Sequence, residues 1–172
     1  SAVSGATVCL PTNVLGNEYY SMNYTQVSNA TNANSYLTII AVEDNTTVEI
    51  TPAAATVNGW AAGSLNTINL NKGQIFQVLG THNNTAYNMP CGNSGQPSCL
   101  WAGSDLTGTK IRSISLGSSS CKRIAVFSGS GKIRIGANCG NSNTSSDNLY
   151  QQLYPAVSWG KNYLTVPSYN RP

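Results

Sequence analysis

The stretch at residues 35–52 constrains the fold most, because it holds the longest apolar run in the chain and a strictly alternating one. Its first half, residues 36–42, reads YLTIIAV, which is far too short to cross a membrane but has the length of a buried strand. Polar turn residues follow at 43–46, and residues 47–51 then alternate apolar and polar side chains. The stretch therefore predicts two strands joined by a tight turn.

These two strands are expected to pair as an antiparallel hairpin at the centre of the domain. With the turn at residues 44–45, Ala41 would face Val48. Ile39 would then face Ile50 on the same side of the hairpin. One face is apolar throughout in this register, so burial of that face would fix the pairing.

Composition supports strands and turns over helices. Only 9% of the 172 residues are charged, against about 25% in an ordinary globular protein. Polar uncharged residues and 16 glycines suit strands and turns better than helices. The nine basic residues are scattered along the chain, which is not the clustered pattern of a nucleic-acid-binding surface. The length is sufficient for one domain with a sizeable core.

The remaining periodic segments complete an antiparallel sandwich. A turn at residues 71–73 would pair Ile68 with Phe76, and residues 80–108 form the longest irregular region. One short helix is expected at residues 147–154. Further strands are expected at residues 6–10, 18–25, 65–70, 74–79, 109–116, 121–128, 132–137 and 161–166. We predict a single all-β, β-sandwich-like module of roughly ten strands over residues 1–172.

The cysteine content indicates disulfides and export. The chain has five cysteines, no C-x-x-C pair and one histidine, His82, so a structural zinc site is not expected. Disulfide bonds are the better interpretation, and they form outside the cytoplasm. One cysteine must stay unpaired within the chain, and we expect Cys9 to be free or bonded to another chain.

Two disulfide pairs are predicted from local spacing. A hairpin centred on the Gly-Ser-Gly connection at residues 129–131 would bring Cys121 opposite Cys139. Cys91 and Cys99 would close a small ring inside the long loop. The sequence alone leaves other pairings open.

Enzymatic chemistry has little support in the sequence. The segment CGNSGQP resembles the surround of a serine-protease nucleophile, but His82 is the only candidate base and nothing orients it. A glycosidase needs two opposed carboxylates, and Glu18 with Asp105 is the candidate pair. The chain has only six acidic residues, so this interpretation is less favoured. The turn at residues 43–45 lacks the acidic density of a calcium loop. We predict no enzymatic activity, no metal and no cofactor.

Aromatic residues in loops are the better candidates for a functional site. Trp60, Tyr87 and Trp101 lie in regions predicted to be irregular and rich in asparagine. Such residues are typical of sugar or protein recognition, and the alternative is that they cover the core under a long loop. Trp159, next to the last predicted strand, is interpreted as structural. The predicted binding residues are thus Trp60, Tyr87 and Trp101.

An ordered set of short motifs resembles the IgGFc-binding protein N-terminal domain family over about residues 10–167. They are LPTNVLGNEYY, TIIAVEDNTTVEITP, LNKGQ, DLTGTKI, IAVFSG, DNLYQQL and WGKNY, in this order along the chain. The resemblance implies secretion, an all-β fold and a binding or adhesive role without catalytic residues. It also suggests one module of a longer surface protein, of the kind found in bacteria and notably in the Bacteroidota. Two departures concern the position of Cys139 and an insertion at residues 83–103.

These observations predict a non-enzymatic binding or adhesion module at the cell surface or in the extracellular space, recognising a glycan or glycoprotein. Expected partners are an extracellular protein or carbohydrate, with neighbouring domains or copies of itself as further partners. Neither nucleic-acid binding nor insertion into a membrane is expected. The alternatives are a structural spacer or self-assembling subunit and, less favoured, a glycan hydrolase.

Overall fold

The computed structural model describes residues 4–24, 27–28, 33–87, 100–117, 120–133 and 147–164, and it confirms an all-β, sandwich-like fold. Only the backbone is described at 27–28, 83–87 and 100–102. Every strand pair within these residues is antiparallel. The described residues contain no helix long and apolar enough to span a bilayer.

The strands form two four-stranded sheets and a smaller third one. The first sheet has the order β1 (Glu18–Tyr20), β9 (Lys110–Ile114), β4 (Thr46–Thr51) and β5 (Asn66–Leu70). The second has the order β11 (Asp147–Gln152), β10 (Ile124–Ile133), β3 (Ser35–Ala41) and β6 (Ile75–Leu79). The third has the order β2 (Val27–Ser28), β8 (Leu100–Gly103) and β7 (His82–Tyr87). Two short 3₁₀ turns, η1 (Thr12–Val14) and η2 (Ala156–Ser158), complete the elements.

The core lies between the two four-stranded sheets, where the alternating apolar side chains of both inner faces meet. Its fully buried members include Tyr19, Leu37, Ile39, Val48, Ile50, Val78, Ile111, Ile124 and Val126. A smaller cluster covers the outer face of the second sheet, where Leu15 packs with Ala125 and Phe127. The second sheet is therefore covered by apolar contacts on both faces.

The predicted pairing of β3 with β4 as a central hairpin is wrong. The prediction of which side chains these two strands bury is confirmed. β3 pairs with β10 and β6, whereas β4 pairs with β5 and β9. The turn at residues 42–45 therefore carries the chain from one sheet to the other as an arch. Ile39 and Ile50 still bury their side chains in the shared core. Alternation specifies which face is buried, but two apolar faces can meet by sandwich packing as well as by pairing.

A second arch at residues 71–74 connects β5 to β6, so the predicted Ile68–Phe76 hairpin is also wrong. Gly73 adopts φ of +79°, a left-handed conformation that glycine tolerates. The two arches stack on each other through backbone and side-chain hydrogen bonds. The Gly73 N–H donates to Ala41 O at 2.8 Å, and the Lys72 N–H donates to Asp44 Oδ1 at 3.0 Å. Stacked arches place β3 beside β6 and β4 beside β5.

β10 runs without interruption through the Gly-Ser-Gly stretch that the sequence suggested as a turn. Ser128 and Ser130 point into the sandwich, where each hydroxyl bonds to the backbone of Met22 or Tyr24. At Gly129 a Cβ atom would lie 1.9 Å from the carbonyl oxygen of Leu149. Gly129 thus leaves room for the backbone of β11 on one face of β10, and the two serines bond the backbone at Met22 and Tyr24 on the other. Close approach of another backbone is a known reason for glycine within a strand.

The predicted helix at residues 147–154 is strand β11. Leucine and tyrosine repeats spaced four apart fit a strand as well as a helix, because four is also a multiple of two. Pairing with β10 decides between them: Tyr150 stacks on Phe127 at a centroid distance of 5.3 Å and on Tyr36 at 6.4 Å. Residues 6–10 and 161–164 lie outside any strand, and the region 80–108, predicted to be irregular, contains β7 and β8.

One buried side chain connects the two main sheets. Tyr19 on β1 donates its hydroxyl hydrogen to Ile124 O on β10 at 2.7 Å. The Tyr19 hydroxyl oxygen in turn accepts the Gly16 N–H at 2.9 Å. Burial raises the pKa of Tyr19, and the bond from Gly16 offsets part of that rise. The phenol therefore stays neutral and acts as both donor and acceptor.

Replacing Tyr19 with phenylalanine should lower the free energy of unfolding by about 1–3 kcal/mol, because two buried backbone groups would lose their partner. Urea denaturation followed by circular dichroism would measure the loss. Tyr24→Phe is the control, since the Tyr24 side chain is exposed. Equal stability of Tyr19→Phe and Tyr24→Phe would contradict the bridging role.

Gly129→Ala should destabilise the protein by about 1–3 kcal/mol or more, because the new methyl group would overlap the Leu149 carbonyl. Gly160→Ala is a matched control, since its nearest neighbour would be in ordinary contact at 3.5 Å. A thermal melt of the two variants beside the parent protein checks this. A Gly129→Ala melting temperature as high as that of Gly160→Ala would contradict the assigned packing.

Candidate functional site

An apolar groove lies where the edge strands β1 and β11 border the same side of the sandwich. Its volume is about 970 Å³. Tyr20 and Met22 supply one wall, and the segment after β11 supplies the other. Residues 6–8 of the N-terminal segment also line it. The volume is within the range of ordinary ligand pockets.

The groove exposes an unusual number of large apolar side chains. The exposed fractions of these side chains are 57% for Tyr154, 51% for Trp159, 70% for Tyr163 and 73% for Met22. The rings of Tyr20 and Trp159 lie 5.6 Å apart in a tilted arrangement. Contiguous exposed apolar surface of this kind marks interaction sites in soluble proteins.

The position of Trp159 follows from the turn that precedes it. Pro155 begins the 3₁₀ turn η2, in which the Trp159 N–H donates to Ala156 O at 3.1 Å. Pro155 rests directly on Gly16, where a Cβ atom would lie 2.5 Å from the proline ring. The indole Nε1 donates to Tyr154 O at 3.3 Å. The indole ring is therefore held facing the groove by local contacts.

Charges at one rim of the groove are paired with each other. Lys110 Nζ lies 3.3 Å from Glu18 Oε2 and 5.7 Å from the centre of the Tyr20 ring. The pKa of Lys110 is raised, first by its hydrogen bond to Glu18 and then by Tyr20. The pair leaves the groove floor without an uncompensated charge, so the site suits an uncharged apolar ligand surface.

Trp60, one of the predicted binding residues, lies against the core. Its ring stacks on Phe76 at a centroid distance of 5.7 Å and packs against the core cluster. The structure places Tyr87 on β7 and Trp101 on β8, one register position apart, and their side chains lie outside the described atoms. The binding role of the three residues stays a prediction.

Trp159, interpreted as structural from sequence, is half-exposed in the groove. The sequence signal that could have found this site is the density of aromatics at 150–163, where Tyr150, Tyr154, Trp159 and Tyr163 follow one another closely. Without the pairing of β11, nothing in the sequence brings that segment to Tyr20 on β1.

The cysteines do not follow the predicted hairpin. Cys9 and Cys121 are exposed and carry free thiols. The geometric reason for a Cys121–Cys139 bond is lost, because β10 continues through residues 129–131. Cys91, Cys99 and Cys139 lie outside the described residues, so the Cys91–Cys99 and Cys121–Cys139 bonds both stay predictions.

The candidate catalytic carboxylates are engaged by other groups of the protein. The Glu18 carboxylate is occupied by Lys110 and by the Tyr20 hydroxyl, and Asp105 Oδ1 accepts the Thr107 N–H at 2.8 Å. Within the part of the chain that the structure describes, no group of three or more His, Cys, Asp and Glu side chains could hold a metal ion.

A family model for the IgGFc binding protein matches residues 5–172, nearly the whole chain. The chain belongs to the IgGFc-binding family. The match confirms the family suggested by the motifs and indicates a binding module of a kind typically found outside the cell. No curated protein and no solved structure matches the chain. Within this family member, the aromatic groove is the candidate binding surface that we carry forward.

The state of the Cys9 and Cys121 thiols can be checked directly. Native protein treated with a maleimide reagent should be modified at both Cys9 and Cys121, because both are exposed. Peptide mass spectrometry under non-reducing conditions identifies the modified residues. A Cys121-containing peptide found joined to another peptide through a disulfide would contradict the free thiol.

Proposed function

We propose that this chain is an extracellular recognition module, part of a cell-surface or secreted protein, and that it binds a protein or glycoprotein ligand in the aromatic groove. The single observation that carries the proposal is the cluster of exposed aromatic side chains between β1 and β11. Large, rigid aromatic residues are the usual anchors of protein interfaces. Adhesion to a glycoprotein surface is the expected outcome.

The polar groups of the groove favour a polypeptide segment over a bare sugar as its occupant. Gln152 Oε1 already accepts the Leu10 N–H at 2.7 Å, and Gln151 Nε2 donates to Gln152 O at 2.8 Å. The indole N–H of Trp159 is likewise used. Sugar sites need unengaged polar groups to recognise hydroxyls, whereas apolar side chains of a peptide need mainly the exposed rings.

Membership of the IgGFc-binding family supports a binding role without catalysis. The ion pair of Glu18 with Lys110 gives no support to a hydrolase. We also infer that the module belongs to a longer surface protein. The bacterial source suggested by the sequence motifs stays a prediction.

Surface plasmon resonance against two immobilised glycoproteins tests the proposal: immunoglobulin Fc fragment and purified mucin, each intact and enzymatically deglycosylated. We expect binding to at least one, and binding that survives deglycosylation. The double variant Trp159→Ala/Tyr163→Ala should weaken it at least about tenfold, since central aromatic anchors dominate interface energies.

Tyr24→Ala is the matched control, because Tyr24 is an exposed aromatic outside the groove. If Trp60→Ala or Trp101→Ala abolished binding and the groove variant did not, the proposal would be wrong. The binding site would then lie at the residues predicted from the sequence. Concentration-dependent assembly in sedimentation experiments without binding to either glycoprotein would instead favour the spacer or self-assembling alternative.

A further inference from the structure

A second concavity lies at the arches, beside strands β4, β5 and β9. Its volume is about 470 Å³, and its lining differs sharply from that of the aromatic groove. Three asparagines, Asn45, Asn69 and Asn71, line it together with Thr47 and Lys122. Leu70, Ile114 and Leu116 add an apolar part to the lining. Amide groups around an apolar surface suit a ligand that has both polar and apolar faces.

Two asparagine amides of the lining each accept a hydrogen bond through the side-chain oxygen. Asn71 Oδ1 accepts the backbone N–H of Asn45 at 3.0 Å, and a backbone N–H can only donate. Asn69 Oδ1 accepts the Thr47 hydroxyl at 2.7 Å. Because the oxygen of each amide is used, its NH₂ group is the end left to meet a ligand, as far as the described residues extend.

Lys122 supplies the positive charge of this pocket. Its ammonium donates to Asp44 O at 2.5 Å and to Asn45 O at 2.9 Å. An ammonium has three N–H donors, so these two bonds hold the group in place and leave one hydrogen for a ligand. The side chain is thus positioned by the same arch that carries Asn45.

The described residues lining the pocket include no carboxylate. The two nearest acidic residues of the arch are engaged elsewhere. Asp44 Oδ1 accepts the Lys72 N–H, and Glu43 Oε1 accepts the Arg123 N–H. The pocket therefore offers two amide donors and an ammonium, and no acidic side chain is among its described lining residues.

We propose that this pocket binds a sugar that carries a carboxylate, such as a terminal acidic residue of a glycan. The carboxylate would take the ammonium of Lys122 and the amide donors of Asn69 and Asn71. The apolar lining would receive the C–H face of the sugar ring. The site is separate from the aromatic groove, so a glycoprotein could be held by its polypeptide at one site and by its glycan at the other.

Titration of the whole chain with N-acetylneuraminic acid, glucuronic acid and glucose, followed by NMR chemical-shift changes, tests the proposal. The two acidic sugars should shift amide signals of Asn69 and Asn71, and glucose should bind at least about tenfold more weakly. Asn71→Asp keeps the oxygen that accepts from Asn45 and replaces the donor by a negative charge. It should weaken binding of the acidic sugars at least about tenfold.

Asn58→Asp is the matched control, since it adds the same charge in an exposed loop outside the pocket. Lys122→Met should also weaken binding, with the exposed Lys72→Met as its control, and thermal melts verify that each variant is folded. Equal binding of glucose, unchanged binding by Asn71→Asp, or no shift with either acidic sugar would overturn the proposal. Trp159→Ala should leave sugar binding unchanged, so failure here is distinguishable from failure of the groove.

Discussion

The hydroxyl of Tyr19 is the interaction on which the arrangement of the two sheets depends most directly. It lies in the dry core and joins β1 in the first sheet to the carbonyl of Ile124 in the second. The chain then continues along β10, where the buried hydroxyls of Ser128 and Ser130 bond its backbone at Met22 and Tyr24. Buried polar groups are costly without partners, so this set of bonds permits only one position of the segment.

The same stretch of chain also determines where the aromatic groove forms. Tyr19 points inward, so Tyr20 must point outward from the same strand, which is the edge strand of its sheet. At the arches, the bond from the Asn45 N–H orients the amide of Asn71, while the amide of Asn69 bonds Thr47 across the adjoining strands β4 and β5. Each concavity is thus bordered by residues whose positions are set by contacts within the fold. The groove is lined mainly by aromatic and apolar side chains, whereas the pocket at the arches is lined mainly by polar side chains, among them three amides and one ammonium.

The sequence predicts which face of a strand is buried better than it predicts which strands pair with each other. The buried rows at Ile39, Val48 and Ile50 follow from alternation, which depends on local geometry. Whether a polar turn makes a hairpin or an arch depends on the neighbouring strands, which are distant in sequence and not encoded in the turn. The same applies to β11, where a spacing of four fits both helix and strand until Tyr150 meets Phe127. The aromatic groove was missed for this reason, since its walls come from Tyr20 and from Trp159, far apart in the chain.

The two ends of the described chain lie on the same groove. Residues 6–8 line one part of it, and Trp159, Gly160 and Tyr163 line another. The N-terminal segment is held beside β11 by side-chain bonds, such as Gln152 Oε1 with the Leu10 N–H, rather than by a strand ladder. Mechanical tension applied to the two ends would therefore deform the groove before it reached the core. Ligand binding at the proposed site and tension along the polypeptide would therefore act on the same few contacts.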